Sequence, residues 1–173
     1  SAFISDEFNR AEVVNAVKKD PNNEELKQYI RDRYDNNLKY LDDVVTAFLE
    51  QFDENDTIAI FSDHGEEFWD HDEFEHGHTF YDELLHIPMI IRASDLPPGK
   101  NDAPVSLLDL APTIAKSANI AFPKTEGLAI QETSQQTLQD RPQAFGRILY
   151  GDDGWASLYQ GQKYITRSGQ EEV

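Results

Sequence analysis

The chain has 173 residues, of which 39% are hydrophobic and 11% aromatic, with no cysteine and a formal net charge of −18. Such a chain can bury a core and is not a disordered tail. Its acidity disfavours sequence-independent nucleic-acid binding and attraction to anionic membranes, and the missing cysteine excludes disulfides and thiolate chemistry.

No apolar run approaches the roughly 20 residues of a membrane span, so no membrane segment is expected. No signal peptide opens the chain, and Ser1-Ala2-Phe3-Ile4-Ser5 lacks Met and reads as an internal or processed end. The compartment is left open, with an exported, periplasmic or membrane-anchored parent all compatible.

Residues 5–19 predict a short polar helix capped by Ser5 or Asp6. Asp20-Pro21-Asn22-Asn23 breaks it. Residues 24–51 predict one long helix. In it Leu26, Ile30, Tyr34, Leu38, Leu41, Val45, Phe48 and Leu49 form an apolar stripe at spacings of three and four. Asp53-Glu54-Asn55-Asp56 closes it. Thr57-Ile58-Ala59-Ile60-Phe61 is a continuous apolar run that fits a strand buried on both faces, as in a parallel sheet covered by helices.

A short helix is expected from Thr79 to Leu85, and a second buried strand over Ile87–Arg92, with Pro88 at its start. Leu96-Pro97-Pro98-Gly99-Lys100 is a turn. Ser106–Ala118 predicts a helix capped near Ser106 and broken or kinked at Pro112. Residues 119–142 read mostly as loop. Ala144–Tyr150, Trp155–Tyr159 and Lys163–Thr166 predict a small antiparallel meander, joined by Gly151-Asp152-Asp153-Gly154 and Gln160-Gly161-Gln162. The order of elements argues for an α/β layered domain over residues 1–142 and a small antiparallel β subdomain over 143–173.

All five histidines fall between residues 64 and 86, and nine carboxylates lie in the run Ser62–His86. Imidazole and carboxylate together suit a divalent metal of borderline hardness or acid–base chemistry near neutral pH. Asp63-His64-Gly65 follows directly on a predicted strand, at the carboxyl end where open α/β sheets bind ligands. The plainer reading is an Asx turn with His64 on the surface. His71, His76 and His78 follow in a loop rich in Gly, Asp and Glu, whose plainer reading is a solvated acidic loop. His86, between Leu85 and Ile87, reads as a packed or hydrogen-bonded residue rather than a ligand.

These residues carry a resemblance. Thr57-Ile58-Ala59-Ile60-Phe61-Ser62-Asp63-His64-Gly65-Glu66, and then His76-Gly77-His78-Thr79-Phe80-Tyr81-Asp82-Glu83-Leu84-Leu85-His86-Ile87-Pro88-Met89-Ile90-Ile91-Arg92, resemble the second half of a sulfatase-family hydrolase of the alkaline phosphatase superfamily. Residues 33–42 resemble that family's long helix before the strand, and Ala103–Ile114 its next helix. The likeness spans about residues 29 to 128, and the tail resembles the family's small C-terminal sheet.

The resemblance implies an alkaline-phosphatase-like layered sheet with flanking helices. It assigns metal ligation to Asp63 and His64 through the S-D-[HN]-G motif. It places His78 where a Lys or His contacts sulfate or phosphate oxygens. His71 and His76 match as candidates for contact with the substrate or support of the ligands, although Asp70-His71-Asp72 departs from a pattern in which glycine often follows the histidine. The implied cofactor is a divalent metal: calcium, manganese or zinc. His64, where calcium-type members often have Asn, leans toward the softer ions and toward phosphodiester or phosphonate substrates.

Family members also carry an upstream strand with metal-binding aspartates, and a nucleophile: formylglycine made from Cys or Ser, or a plain Thr or Ser. This chain has no Cys and no Ser-x-Pro-x-Arg. It therefore looks like the C-terminal part of a longer enzyme that cleaves sulfate or phosphate esters, inactive by itself. The alternatives are a phospho-headgroup transferase of the same fold and a non-catalytic metal-binding module.

Overall fold

Asn23 starts the longest element of the chain. In this computed structural model, which describes residues 10–149, 152–167 and 170–172, its side chain accepts a hydrogen bond from Leu26 N at 2.9 Å and so caps the helix. That helix, α2 (Glu24–Leu49), follows α1 (Arg10–Lys19). The expected cap at Ser5 or Asp6, and Tyr150 and Gly151 of the tail, lie outside the described residues. The chain divides into two compact units, residues 1–52 and 53–173. In the first, Val17 and Ile30 are buried, while Leu38, Leu41 and Phe48 of the predicted stripe are exposed. Among the described residues no helix is long and apolar enough to cross a membrane.

The second unit opens with a tight turn in which Asn55 N donates to Asp53 Oδ1 and Arg92 Nη2 donates to Asp53 O, both at 2.7 Å. β1 (Ile58–Phe61) then pairs with β4 (Met89–Arg92) in antiparallel register, Ile58 opposite Arg92 and Phe61 opposite Met89. The apolar runs predict strands buried on both faces of a parallel sheet. The observed pair is antiparallel, and Phe61 and Ile90 are exposed. An apolar run reports a strand but not the direction of its neighbour. Between the two strands lie a small hairpin, β2 (Glu67–Phe68) with β3 (Phe74–Glu75), and one turn of helix, α3 (Asp82–Leu85).

Beyond β4 a 3-10 turn (Leu107–Asp109) leads into α4 (Leu110–Ser117). Ser106 caps the turn: its N donates to Asp109 Oδ2 and its Oγ accepts from Leu108 N. Pro112 falls in the first turn of α4 and is buried, so it neither breaks nor kinks the helix. A first-turn residue has no intrahelical N–H bond to lose. Residues 119–142, read as loop, contain a further 3-10 turn (Ile130–Glu132) and α5 (Gln135–Asp140), capped by Ser134 Oγ on Thr137 N. Asp109, fully buried, gathers these pieces. It accepts from Arg141 through both guanidinium nitrogens at 2.7 and 2.6 Å, and from Leu128 N at 2.8 Å.

The tail forms the predicted meander with one strand more: β5 (Gln143–Leu149), β6 (Asp152–Tyr159), β7 (Gln162–Arg167) and β8 (Gln170–Glu172), each antiparallel to the next. Ala156 and Ile165 bury against Phe80, with Tyr81, Leu85 and Phe145 packed around them. Lys163 Nζ donates to Phe80 O at 3.2 Å and pairs with Asp82. The meander thus grips the start of α3 and, through it, the histidine-rich segment.

Candidate metal and ester site

Strand β1 ends at Phe61 and delivers Asp63 and His64 beside each other, both exposed. The local backbone is tied down by Ser62 Oγ donating to His64 O at 2.5 Å and His64 N donating to Asp63 Oδ1 at 3.1 Å. His64 Nδ1 sits 2.7 Å from Gly65 O, a contact a ring N–H makes and a lone pair does not. That fixes the tautomer and leaves a lone pair on Nε2, 3.8 Å from Asp63 Oδ1. A ring held this way is what a metal-ligating histidine requires.

Gly65 is set by packing. A Cβ there would lie 1.9 Å from the carbonyl oxygen of Glu83, and Gly65 N donates to Leu84 O at 2.9 Å. The backbone of α3 therefore lies directly on the residue that follows His64.

The loop returns His76 to the same place. Its ring stacks on that of His64, with centroids 4.1 Å apart and planes 28° from parallel, and its Nδ1 meets Glu66 Oε2 at 3.1 Å. His71 stands apart from this stack. Its ring lies on Tyr81 at 3.6 Å, and its Nδ1 meets Glu83 Oε1 at 2.6 Å. His78 is buried, and its Nε2 lies 2.7 Å from Oε2 of the fully buried Glu67. His86 is exposed at the C-terminal end of α3, not packed as expected, and its backbone N donates to Asp82 O at 2.8 Å.

The structure thus brings Asp63, His64 and His76 together and gives His71 and His78 carboxylate partners of their own. The carboxylates at these rings, Glu66 at His76, Glu67 at His78 and Glu83 at His71, were part of the acidic background of the sequence. Nothing in the spacing of nine similar carboxylates distinguishes the three that fold inward. Glu67, His71 and Glu83 also have ligand atoms within 4.8 Å of one another, a group that could hold a metal ion. An open concavity of about 500 Å³ lies elsewhere, between Asp140–Arg141 and Leu158–Gly161. It holds no histidine, so the imidazole cluster stays the candidate site.

Comparison with known proteins gives a consistent picture. The family model described as "Sulfatase" matches residues 5–120. An uncharacterized sulfatase, YidJ, of Escherichia coli strain K12 is 36% identical over 81 residues, which are 47% of this chain and 16% of that relative. The chain therefore spans a small part of the length of the relative it matches. No solved structure matches the chain significantly.

Proposed function

The chain belongs to the sulfatase family of the alkaline phosphatase superfamily, and from that premise we propose that it forms part of a metal-dependent hydrolase of sulfate or phosphate esters, with Asp63 and His64 holding a divalent metal. The observation that carries this reading is the pair itself. One carboxylate oxygen and one imidazole Nε2 lie 3.8 Å apart at the end of a strand, the other ring nitrogen committed to Gly65 O. The donor set fits a borderline or hard divalent ion such as zinc, manganese or calcium. Two ligands make only part of a shell, so further ligands and the nucleophile belong to residues outside this chain.

Such an ion supplies charge neutralisation and Lewis-acid polarisation of the ester oxygens. The chain's own residues do the rest of what is proposed here. His76, lying on the His64 ring, is the imidazole placed to meet the anionic oxygens of the ester. Glu66 at its Nδ1 orients that ring. His78, which the sequence suggests for that contact, is buried on Glu67, and its influence on turnover runs through the loop it closes.

The test uses the full-length protein with p-nitrophenyl sulfate and p-nitrophenyl phosphate, with Mn²⁺ and Zn²⁺ titrated by calorimetry. Asp63→Asn and His64→Ala should lose metal affinity and turnover together. Undiminished metal binding in both variants would place the metal elsewhere.

A further inference from the structure

Glu67 is an acidic residue with no access to solvent. A buried carboxylate is retained only when its oxygens are fully bonded. Here Oε1 accepts from His71 N and from Glu73 N, both at 3.0 Å, while Oε2 meets His78 Nε2 at 2.7 Å. One side chain at the start of the loop therefore holds its middle and its end. Around it the backbone is strained. Trp69, Asp72 and Glu75 have φ of 66°, 66° and 76°, a left-handed region that bulky side chains avoid. Such conformations persist only where their surroundings dictate them, and they gather at functional sites. Beside its two-residue ladder the hairpin has the main-chain bond Trp69 N to Glu73 O at 2.9 Å and a stack of Trp69 on Phe74. The loop has no buried apolar side chain of its own between Glu67 and His78. The carboxylate stands where a core residue would.

We propose that Glu67, bridged to His78, is the positioning residue of the site: it fixes the strained loop that presents His71 to Glu83 and His76 to His64. The proposal rests on the ester-hydrolase reading given above. It stands against metal ligation by Glu67, His71 and Glu83, a choice that the Mn²⁺ stoichiometry of the variants decides.

The experiment compares Glu67→Gln and Glu67→Leu in the full-length protein. The Gln side chain keeps an oxygen for the two amides and can donate to His78 Nε2, whereas Leu fills similar volume and accepts nothing. In the Leu variant kcat for p-nitrophenyl sulfate or phosphate should fall on the order of 100-fold, with KM and Mn²⁺ affinity nearly unmoved, and Gln should recover most of the loss. Hydrogen exchange at the amides of His71 and Glu73 should accelerate in the Leu variant, while exchange within β1 stays as in the wild type. Gln as inactive as Leu would overturn the proposal. So would a Leu variant that loses Mn²⁺ affinity in step with kcat. A Mn²⁺ stoichiometry lower by one ion in the Leu variant would instead make Glu67 a ligand. If the wild-type protein hydrolyses neither ester, the ester-hydrolase reading fails. The amide exchange still decides the role of Glu67, and unchanged exchange at His71 and Glu73 overturns it.

Discussion

His64 and His76 lie ring on ring, 4.1 Å between centroids, although the whole β2–β3 hairpin separates them in the chain. Each has its Nδ1 beside an acceptor, Gly65 O for one and Glu66 for the other. The two imidazoles are nonetheless expected to differ in role. His64→Ala should abolish metal binding. His76→Ala should keep metal stoichiometry and lose on the order of 100-fold in kcat, the scale of one lost contact to a developing anion. Calorimetric titration of both variants with Mn²⁺ separates the two. Equal loss of metal would make His76 a ligand.

Gly65→Ala should be among the most damaging small substitutions in the chain. The added methyl would sit 1.9 Å from Glu83 O, and neither neighbour is a flexible side chain that can swing away. Overpacking of this kind costs about 1–3 kcal/mol or more, here by forcing α3 off β1's end. Urea denaturation should show a lower midpoint, and metal affinity should fall as His64 is displaced. A variant with wild-type midpoint and affinity would show that the two backbones can part freely.

Phe80→Ala should uncouple the meander from the site. Phe80 is buried against Ala156 and Ile165, with Phe145 and Leu85 at the edge. Removing a buried phenyl ring costs about 3–5 kcal/mol. Because α3 carries Glu83, the carboxylate at His71 Nδ1, kcat should fall together with stability. Thermal melting and turnover measured on the same sample would test that linkage.

Acid should weaken the second unit through Asp109. Burial raises the pKa of its carboxyl, but hydrogen bonds from Arg141 and from Leu128 N and Ser106 N outweigh that and hold it below the ordinary value. The unfolded chain therefore takes up this proton at higher pH than the folded one. The stabilisation is complete above the ordinary carboxylate pKa of about 3.9 and is lost as pH falls through that value toward the depressed folded one. Asp109→Asn should cost on the order of 3 kcal/mol at neutral pH by leaving Arg141 unpaired. It should also flatten the acid limb of stability against pH, read from urea midpoints at pH 3 to 7. An acid limb identical to wild type would assign that limb to other carboxylates.

Much of the local structure was legible in the residues themselves. Periodicity located α2 to within two residues at its C-terminal end, and the apolar β-branched runs located β1 and β4. Gln160-Gly161 located the turn between β6 and β7, because the effect of turn residues is confined to a few neighbouring dihedrals, whereas Asp152–Gly154, read as turn, lie in β6. Where polar caps compete with loop chemistry, as at Ser134, the helix α5 escaped notice. The Asp63-His64-Gly65 motif at a strand end, and the family it belongs to, were also legible, since they depend only on identity and order.

The tertiary structure decided what order cannot encode. It decided that β1 and β4 run antiparallel, since strand direction depends on the path of the connecting chain and not on the strand's own residues. It decided that His76 stacks on His64 while His78 turns to Glu67, the two rings parted by the left-handed Gly77 (φ 86°). It also decided which of nine acidic residues would be buried. A carboxylate leaves water only where amides and an imidazole converge on it from distant points of a folded loop, and for Glu67 those donors, His71 N, Glu73 N and His78 Nε2, converge only once the loop has closed.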